Sequence, residues 1–232
     1  KIKNCLNSID KKIEVLVIEN SDDLKFKENI EKEFTNAKCI LTGKNLGYGS
    51  GNNIGLKKVT TKYALILNPD ATLHPSALEN FIKTTKEVSE FAIMAPYIQE
   101  QKKNEDKKYL ENNLPIQVSN VKGFAMFLNL SEFKDVGFFD ENFFFYFEEI
   151  DLCRRLINHG KKIYLVPDIK IMHAGASSHD ESIKREMELS RNWHWMWSTF
   201  NYNKKYRGFF VSLIIVFPKL ISSIIKTLIY LL

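Results

Sequence analysis

Apolar runs of strand length in this chain end at turn signals, and its length and composition are compatible with one large α/β domain. Tyr63-Ala-Leu-Ile-Leu67 is an apolar run of strand length. It stops at Asn68-Pro69-Asp70, because a proline cannot donate to a sheet ladder. Asp70 is thereby presented at the carboxyl end of a strand, the edge at which open α/β sheets bind ligands, and a helix is predicted to begin near Ser76. Ile163–Val166 and residues 169–173 read as two strand pieces broken at Pro167. Glu148-Glu149-Ile-Asp151-Leu-Cys-Arg154-Arg155 predicts a helix starting at its acids. Helical spacing then puts Glu148, Asp151 and Arg155 on one side and aims Glu149 elsewhere, toward a cleft. Residues 209–232 are largely apolar but interrupted by Pro218, Lys219 and Lys226.

Composition adds limits to this pattern. A chain of 232 residues that is 44% hydrophobic can bury one large core. Its three cysteines, Cys5, Cys39 and Cys153, are odd in number and lack metal-ligand spacing, which predicts a reducing, cytosolic side. Residues 99–113 are polar and rich in Lys and Glu, and read as a solvated surface loop. The net charge of +5 is concentrated at the end of the chain. After Glu188 come Arg191, Lys204, Lys205, Arg207, Lys219 and Lys226 with no acid among them. Trp193, Trp195, Trp197, Phe200, Tyr202 and Tyr206 interleave with those bases just ahead of the apolar stretch, as at a membrane interface with anionic headgroups. Bases among aromatics also suit single-stranded nucleic acid, but the apolar run that follows would then have no role, so no nucleic-acid partner is expected. Residues 209–217 are too few to cross a bilayer. The tail is therefore expected to be a broken helix or helix pair lying at the interface, ahead of a kinked span or a helix pair packed on the core.

Candidate chemistry sits in four places. The first is the run Phe143-Phe-Phe-Tyr-Phe147 followed by Glu148, Glu149 and Asp151, where a carboxylate at the mouth of an apolar wall can act as a general base. The second is Asp70, placed to hold a hard cation beside a phosphate. The third is Gly43-Lys-Asn45-Leu-Gly47-Tyr-Gly49-Ser-Gly51-Asn52-Asn53-Ile-Gly55, read as a loop whose backbone can approach an anion such as a diphosphate before a helix starts. It has neither the Gly-Lys-Ser/Thr of a Walker loop nor G-x-G-x-x-G spacing. The fourth is His173, whose following Gly175, Ser177 and Ser178 leave room around an imidazole that can ligate a divalent metal.

Taken in order, these pieces resemble the family 2 inverting glycosyltransferases of GT-A fold, in particular their bacterial rhamnosyltransferase-like and galactofuranosyltransferase-like branch. Val17-Ile-Glu19-Asn20-Ser21 is similar to the family's nucleoside-holding strand end, Asn45 to Gly55 to its donor loop, and Asn68-Pro-Asp70 to its metal-binding DxD segment. Gly123-Phe-Ala-Met resembles the acceptor-side strand, Val136-Gly-Phe-Phe-Asp140-Glu141 the GGFDE stretch, Glu148-Glu149-Ile-Asp151 the catalytic ED-x-D segment, and His173 the late histidine. The resemblance implies a mostly parallel central sheet flanked by helices. It implies Glu149 and Asp151 as catalytic residues, and Glu19, Asn20, Asn45, Gly47, Gly51, Asn52, Asn53 and Asn68 as donor-binding ones. Asp70 and His173 would hold Mg²⁺ or Mn²⁺. Two residues depart from the pattern, because Glu149 and Glu19 stand where the family usually has Asp. The segment from Lys1 to Ile9 reads as the helix that normally follows the family's first strand, so a fragment of a longer protein is expected.

The expected organisation is a catalytic domain over residues 1–190 and a membrane-associating helical tail over 191–232. The expected function is transfer of a sugar from a nucleotide-diphosphate donor, such as dTDP-rhamnose or a UDP-sugar, to a lipid-linked or cell-surface saccharide, at the cytoplasmic face of the membrane. The competing reading is a non-catalytic sugar-nucleotide-binding or scaffold protein of a glycan assembly complex.

Overall fold

The computed structural model describes residues 1–97, 113–173 and 181–231; the polar stretch 99–112 and the small residues at 174–178 lie outside them. The order of elements is α1 (Ile2–Asn7), β1 (Val15–Glu19), α2 (Leu24–Glu33), β2 (Ala37–Leu41), α3 (Tyr48–Leu56), β3 (Tyr63–Leu67), β4 (Ala71–Leu73), α4 (Ala77–Glu87), β5 (Ile93–Pro96), β6 (Ile116–Gln117) and β7 (Ala125–Asn129). Then follow α5 (Glu148–Asn158), β8 (Ile163–Val166), β9 (Ile171–His173), α6 (Glu181–Arg207) and α7 (Phe209–Leu231).

The central sheet has the order β3-β7-β5-β8-β6. Within it only β5 and β8 pair in parallel, while β3–β7, β5–β7 and β6–β8 are antiparallel. The expectation of a mostly parallel sheet is thus corrected, since β7 runs back between β3 and β5 and reverses two neighbouring ladders. A separate parallel pair, β1–β2, and an antiparallel pair, β4–β9, stand beside it.

Alternation along the strands divides the core into two faces. Ile66, Ile93, Ala95, Met126, Leu128, Ile163 and Leu165 pack with Leu152 and Leu156 of α5. The opposite positions, Met94, Phe127 and Val166, pack with Ala77 and Phe81 of α4. Phe81 is fully buried and stacks on Phe127 with ring centroids 4.7 Å apart. Helix α4 reaches the sheet because Ala77, Phe81 and Thr84, spaced at i, i+4 and i+7, all fall on its buried face.

Among the described residues β1 pairs only with β2 and β3 only with β7, so each leaves one edge open. Consecutive residues of both strands, pointing to both faces, line a single cavity of about 1120 Å³ between those edges. Gly51 and Gly55 of α3 cover one side, and Ile2, Cys5 and Leu6 of α1 also line it.

At the end of the chain, α6 and α7 form a helical hairpin turned at Gly208 (φ +87°). The proposed division at 190/191 falls inside α6, which is one continuous helix. The tail is also not broken at Pro218: α7 runs through it, at the cost of one backbone hydrogen bond, while Lys219 next to it lies over the ring of Trp195. No helix among the described residues is long and apolar enough to cross a membrane.

Candidate active site

The end of β1 and the start of α3 are joined by one asparagine. Asn20 Nδ2 donates to Asn45 Oδ1 (3.0 Å) and to the Gly47 carbonyl (3.1 Å), and its Oδ1 accepts from the Leu46 amide (2.9 Å). Asn45 Oδ1 also accepts from the Gly47 amide (3.0 Å). Glu19 accepts from the Ser21 hydroxyl at 2.7 Å. Six of the eight expected donor residues, Glu19, Asn20, Gly47, Gly51, Asn52 and Asn68, are among those lining the cavity between β1 and β3. Asn45 stays beside them as the support of the turn. Asn53 does not: it is buried, donating to the Phe139 carbonyl and Glu141 and accepting from the Phe139 amide. With its amide spent inside, it braces α3 and has nothing left to offer a ligand.

The glycine-rich segment is mostly helix, not loop. Helix α3 starts at Tyr48, and its glycines serve close approach: a side chain at Gly49 would meet Phe139 at 3.0 Å and one at Gly55 would meet Ile18 at 3.3 Å. Gly43 (φ +77°) and Gly47 (φ +84°) have positive φ, and a methyl group at Gly47 would run into the Phe144 carbonyl.

Two residues far apart in sequence meet at the ends of β4 and β9. The register pairs Ala71 with His173, which carries His173 Nε2 to 3.2 Å from Asp70 Oδ1. The imidazole stacks on Phe124 with centroids 4.6 Å apart, fixing its plane. Both side chains are partly exposed. A carboxylate oxygen and an imidazole nitrogen converging from two strands fit a divalent cation that keeps further positions for water or phosphate. Asn68 lies at the same edge, its amide donating to the Phe124 carbonyl at 2.8 Å.

The acids stand at the first turn of α5, as helical spacing predicts. The turn before it is strained, since Tyr146 (φ 71°) and Phe147 (φ 69°) are both left-handed, which costs roughly 1–2 kcal/mol per residue. Glu148 is buried, its Oε2 has no hydrogen-bond partner among the described residues, and burial pushes its carboxyl up to about 7, with Glu149 adding to the effect. Burial also raises Glu149, against the opposing pull of Lys122. Tyr48, whose hydroxyl donates to the Gly123 carbonyl, is pushed up by burial and by the charges of Glu149 and Glu148. Tyr48 thus stands near the acids of α5 while its hydroxyl is held by Gly123.

Asp151 is placed otherwise than a catalytic residue needs. It is fully buried and accepts from Arg155 Nε (2.8 Å), Lys205 Nζ (2.7 Å) and the Tyr206 hydroxyl (2.8 Å). A carboxylate held by two cations and a phenol is a clamp, because its lone pairs are occupied and it has no path to a substrate.

That clamp reveals what sequence reading missed, the inward stripe of α6. Ser198 donates to the Phe145 carbonyl (2.7 Å), His194 stacks on Phe144 (4.5 Å) and Tyr202 packs against Phe147 (5.1 Å). Lys205 also reaches Asp140 at 2.7 Å. The signal available in sequence was the spacing of His194, Ser198, Tyr202 and Lys205 at helical intervals, obscured by the exposed tryptophans beside it.

The comparisons with known proteins agree with this arrangement. The chain is 26% identical to rhamnosyltransferase WbbL of Escherichia coli K12 over 236 aligned positions, covering 87% of this chain and 86% of that one. It is 27% identical over 176 positions to the low-salt glycan biosynthesis hexosyltransferase Agl10 of Haloferax volcanii, covering 66% of this chain but only 56% of Agl10, so it spans little more than half of that relative. Among solved structures, GalNAc-T7 with UDP, GalNAc and Mn²⁺ has a TM-score of 0.64 at 11% identity, over 90% of this chain and 50% of that one. Mannosyltransferase PcManGT of Pyrobaculum calidifontis, in complex with GDP-Man and Mn²⁺, has a TM-score of 0.61 at 13% identity, over 88% and 59%. These likenesses show a shared GT-A fold. Residues 1–154 match glycosyl transferase family 2, and the chain belongs to that family.

Proposed function

We propose that this protein transfers a sugar from a nucleotide-diphosphate donor to a saccharide acceptor, with Glu149 as the general base. The observation that carries the reading is the meeting of α3 and α5. The donor-side turn at Gly47 and Tyr48 abuts Phe144 through the Tyr48 amide (3.1 Å), directly ahead of the two acids. Donor and base are thereby held by one piece of structure.

The step assigned to the chain's own residues is a single displacement. The acceptor oxygen attacks the anomeric carbon while the carbon–oxygen bond to the diphosphate breaks, and the diphosphate leaves with the electron pair. Glu149 takes the hydroxyl proton, and its raised carboxyl makes it a better base than an exposed glutamate. No side chain is assigned as nucleophile, so the configuration inverts. Asp70 and His173 would hold Mg²⁺ or Mn²⁺, which when bound supplies positive charge to offset that gathering on the diphosphate.

The donor fits dTDP-rhamnose or a UDP-sugar, the first supported by the likeness to a rhamnosyltransferase over most of the chain. The acceptor is proposed to be lipid-linked, in assembly of a cell-surface polysaccharide on the cytoplasmic side of the membrane. Support comes from α7, where Phe210, Ile214 and Phe217 are exposed in a helix that carries Lys219 and no acid. The test is incubation of the protein with each nucleotide sugar, Mn²⁺ and a lipid-linked acceptor, following nucleoside diphosphate release and glycosylated product. Release of nucleotide by wild type and its loss in Glu149→Gln supports the reading. Tight donor binding without product from any donor–acceptor pair overturns it in favour of a non-catalytic binding protein.

A further inference from the structure

We propose that α6 is a positioning element of the active site: His194, Ser198, Tyr202 and Lys205, one stripe of that helix, hold the strained turn that aims Glu149. This inference rests on the transferase reading for its kinetic consequence, but not for its structural one.

A turn with two consecutive aromatic residues in left-handed conformation does not persist by local preference. Something must over-determine it, and the contacts come from two sides. On one side Tyr48 and Gly47 press against Phe144. On the other, α6 supplies a contact to nearly every residue of the turn: His194 on Phe144, Ser198 to the Phe145 carbonyl and Tyr202 on Phe147, with Lys205 over the ring of Phe143 (5.9 Å). Positions 194, 198, 202 and 205 differ by four, four and three, so one helical face makes all of them. Ser198 is wholly buried, and its hydroxyl satisfies a carbonyl that the left-handed turn takes out of any ladder.

The stripe then continues into α5. Lys205 joins Asp140 and Asp151, and Tyr206 donates to the same Asp151. Arg154 donates to the Tyr202 hydroxyl (3.1 Å) and lies over the Tyr206 ring (3.8 Å). Helix α6 therefore fixes both the turn before the base and the helix that carries it. None of these residues reaches the cavity that the donor residues line.

The experiment compares wild type with Ser198→Ala, His194→Leu, Lys205→Met and Lys205→Arg in the full chain. Each is measured for kcat and donor KM with Mn²⁺, and for amide hydrogen exchange over residues 143–151. The expected result is a fall in kcat of about tenfold or more in the first three, with donor KM moved less than about threefold. Faster exchange should be confined to residues 143–151, and Lys205→Arg should recover most of the loss because it keeps the cation. Wild-type kcat together with wild-type exchange in Ser198→Ala and His194→Leu overturns the proposal and leaves α6 a packing helix. Exchange that quickens over the whole domain, rather than the turn alone, overturns it equally. If wild type turns over no nucleotide sugar, the transferase reading fails, while the exchange pattern still decides whether α6 holds the turn.

Discussion

At the scale of single residues, the acids of α5 divide the work according to their surroundings. Glu149→Gln keeps shape and loses basicity, so kcat should fall by about 10²–10⁴ with donor binding by calorimetry little changed. Glu148 has a different signature. Folded, it keeps its proton up to about pH 7; unfolded, it releases it near 4.5. The folded state thus binds the extra proton between those values, and stability should fall as pH rises through that window. Glu148→Gln should flatten the dependence, gaining on wild type by about 1–3 kcal/mol at pH 8 relative to pH 4, read from chemical unfolding at each pH. Asp70→Ala and His173→Ala should each remove the Mn²⁺-dependent part of donor binding in a metal titration. Undiminished Mn²⁺ stimulation in both would place the cation elsewhere.

At the scale of elements, much was legible because short-range rules decided it. Pro69 ended β3 where expected, and the acids opened α5 at Glu148. Asp70 and His173 were singled out separately, and the β4–β9 ladder that joins them is a three-residue pairing too short to leave its own periodicity. The glycine-rich stretch was misread because glycine signals both freedom and close packing, and only the neighbours, Phe139 and Ile18, decide which. Asn53 and Asp151 went to structural roles for the same reason: their partners, Phe139 and Lys205, lie 86 and 54 residues away. Packing between elements makes its own prediction. Phe81→Ala should cost about 3–5 kcal/mol in denaturant unfolding, since the ring is wholly buried against Phe127.

At the scale of the whole molecule, the C-terminal hairpin has an inner and an outer face. The inner face of α6 packs on the turn before α5, while α7 leaves Phe210, Ile214 and Phe217 exposed. Truncation after Arg207 should therefore leave turnover on a water-soluble acceptor within about twofold of wild type and reduce sedimentation with anionic liposomes. Binding of the intact chain should drop only in part with added salt, because buried apolar surface persists when charge attraction, about 1 kcal/mol per base, is screened. Complete release by salt would reduce α7 to an electrostatic patch. The clamp on Asp151 also sets an order of events during synthesis. Ribosomes deliver the chain from its amino end at about 5–20 residues per second. Strands β1 to β9 and helix α5 are all made before Lys205 and Tyr206, so the turn ahead of Glu148 can be locked only after the last turn of α6 has emerged. A nascent chain would carry the residues around Asn20 and Gly47 early and the locked turn before α5 late.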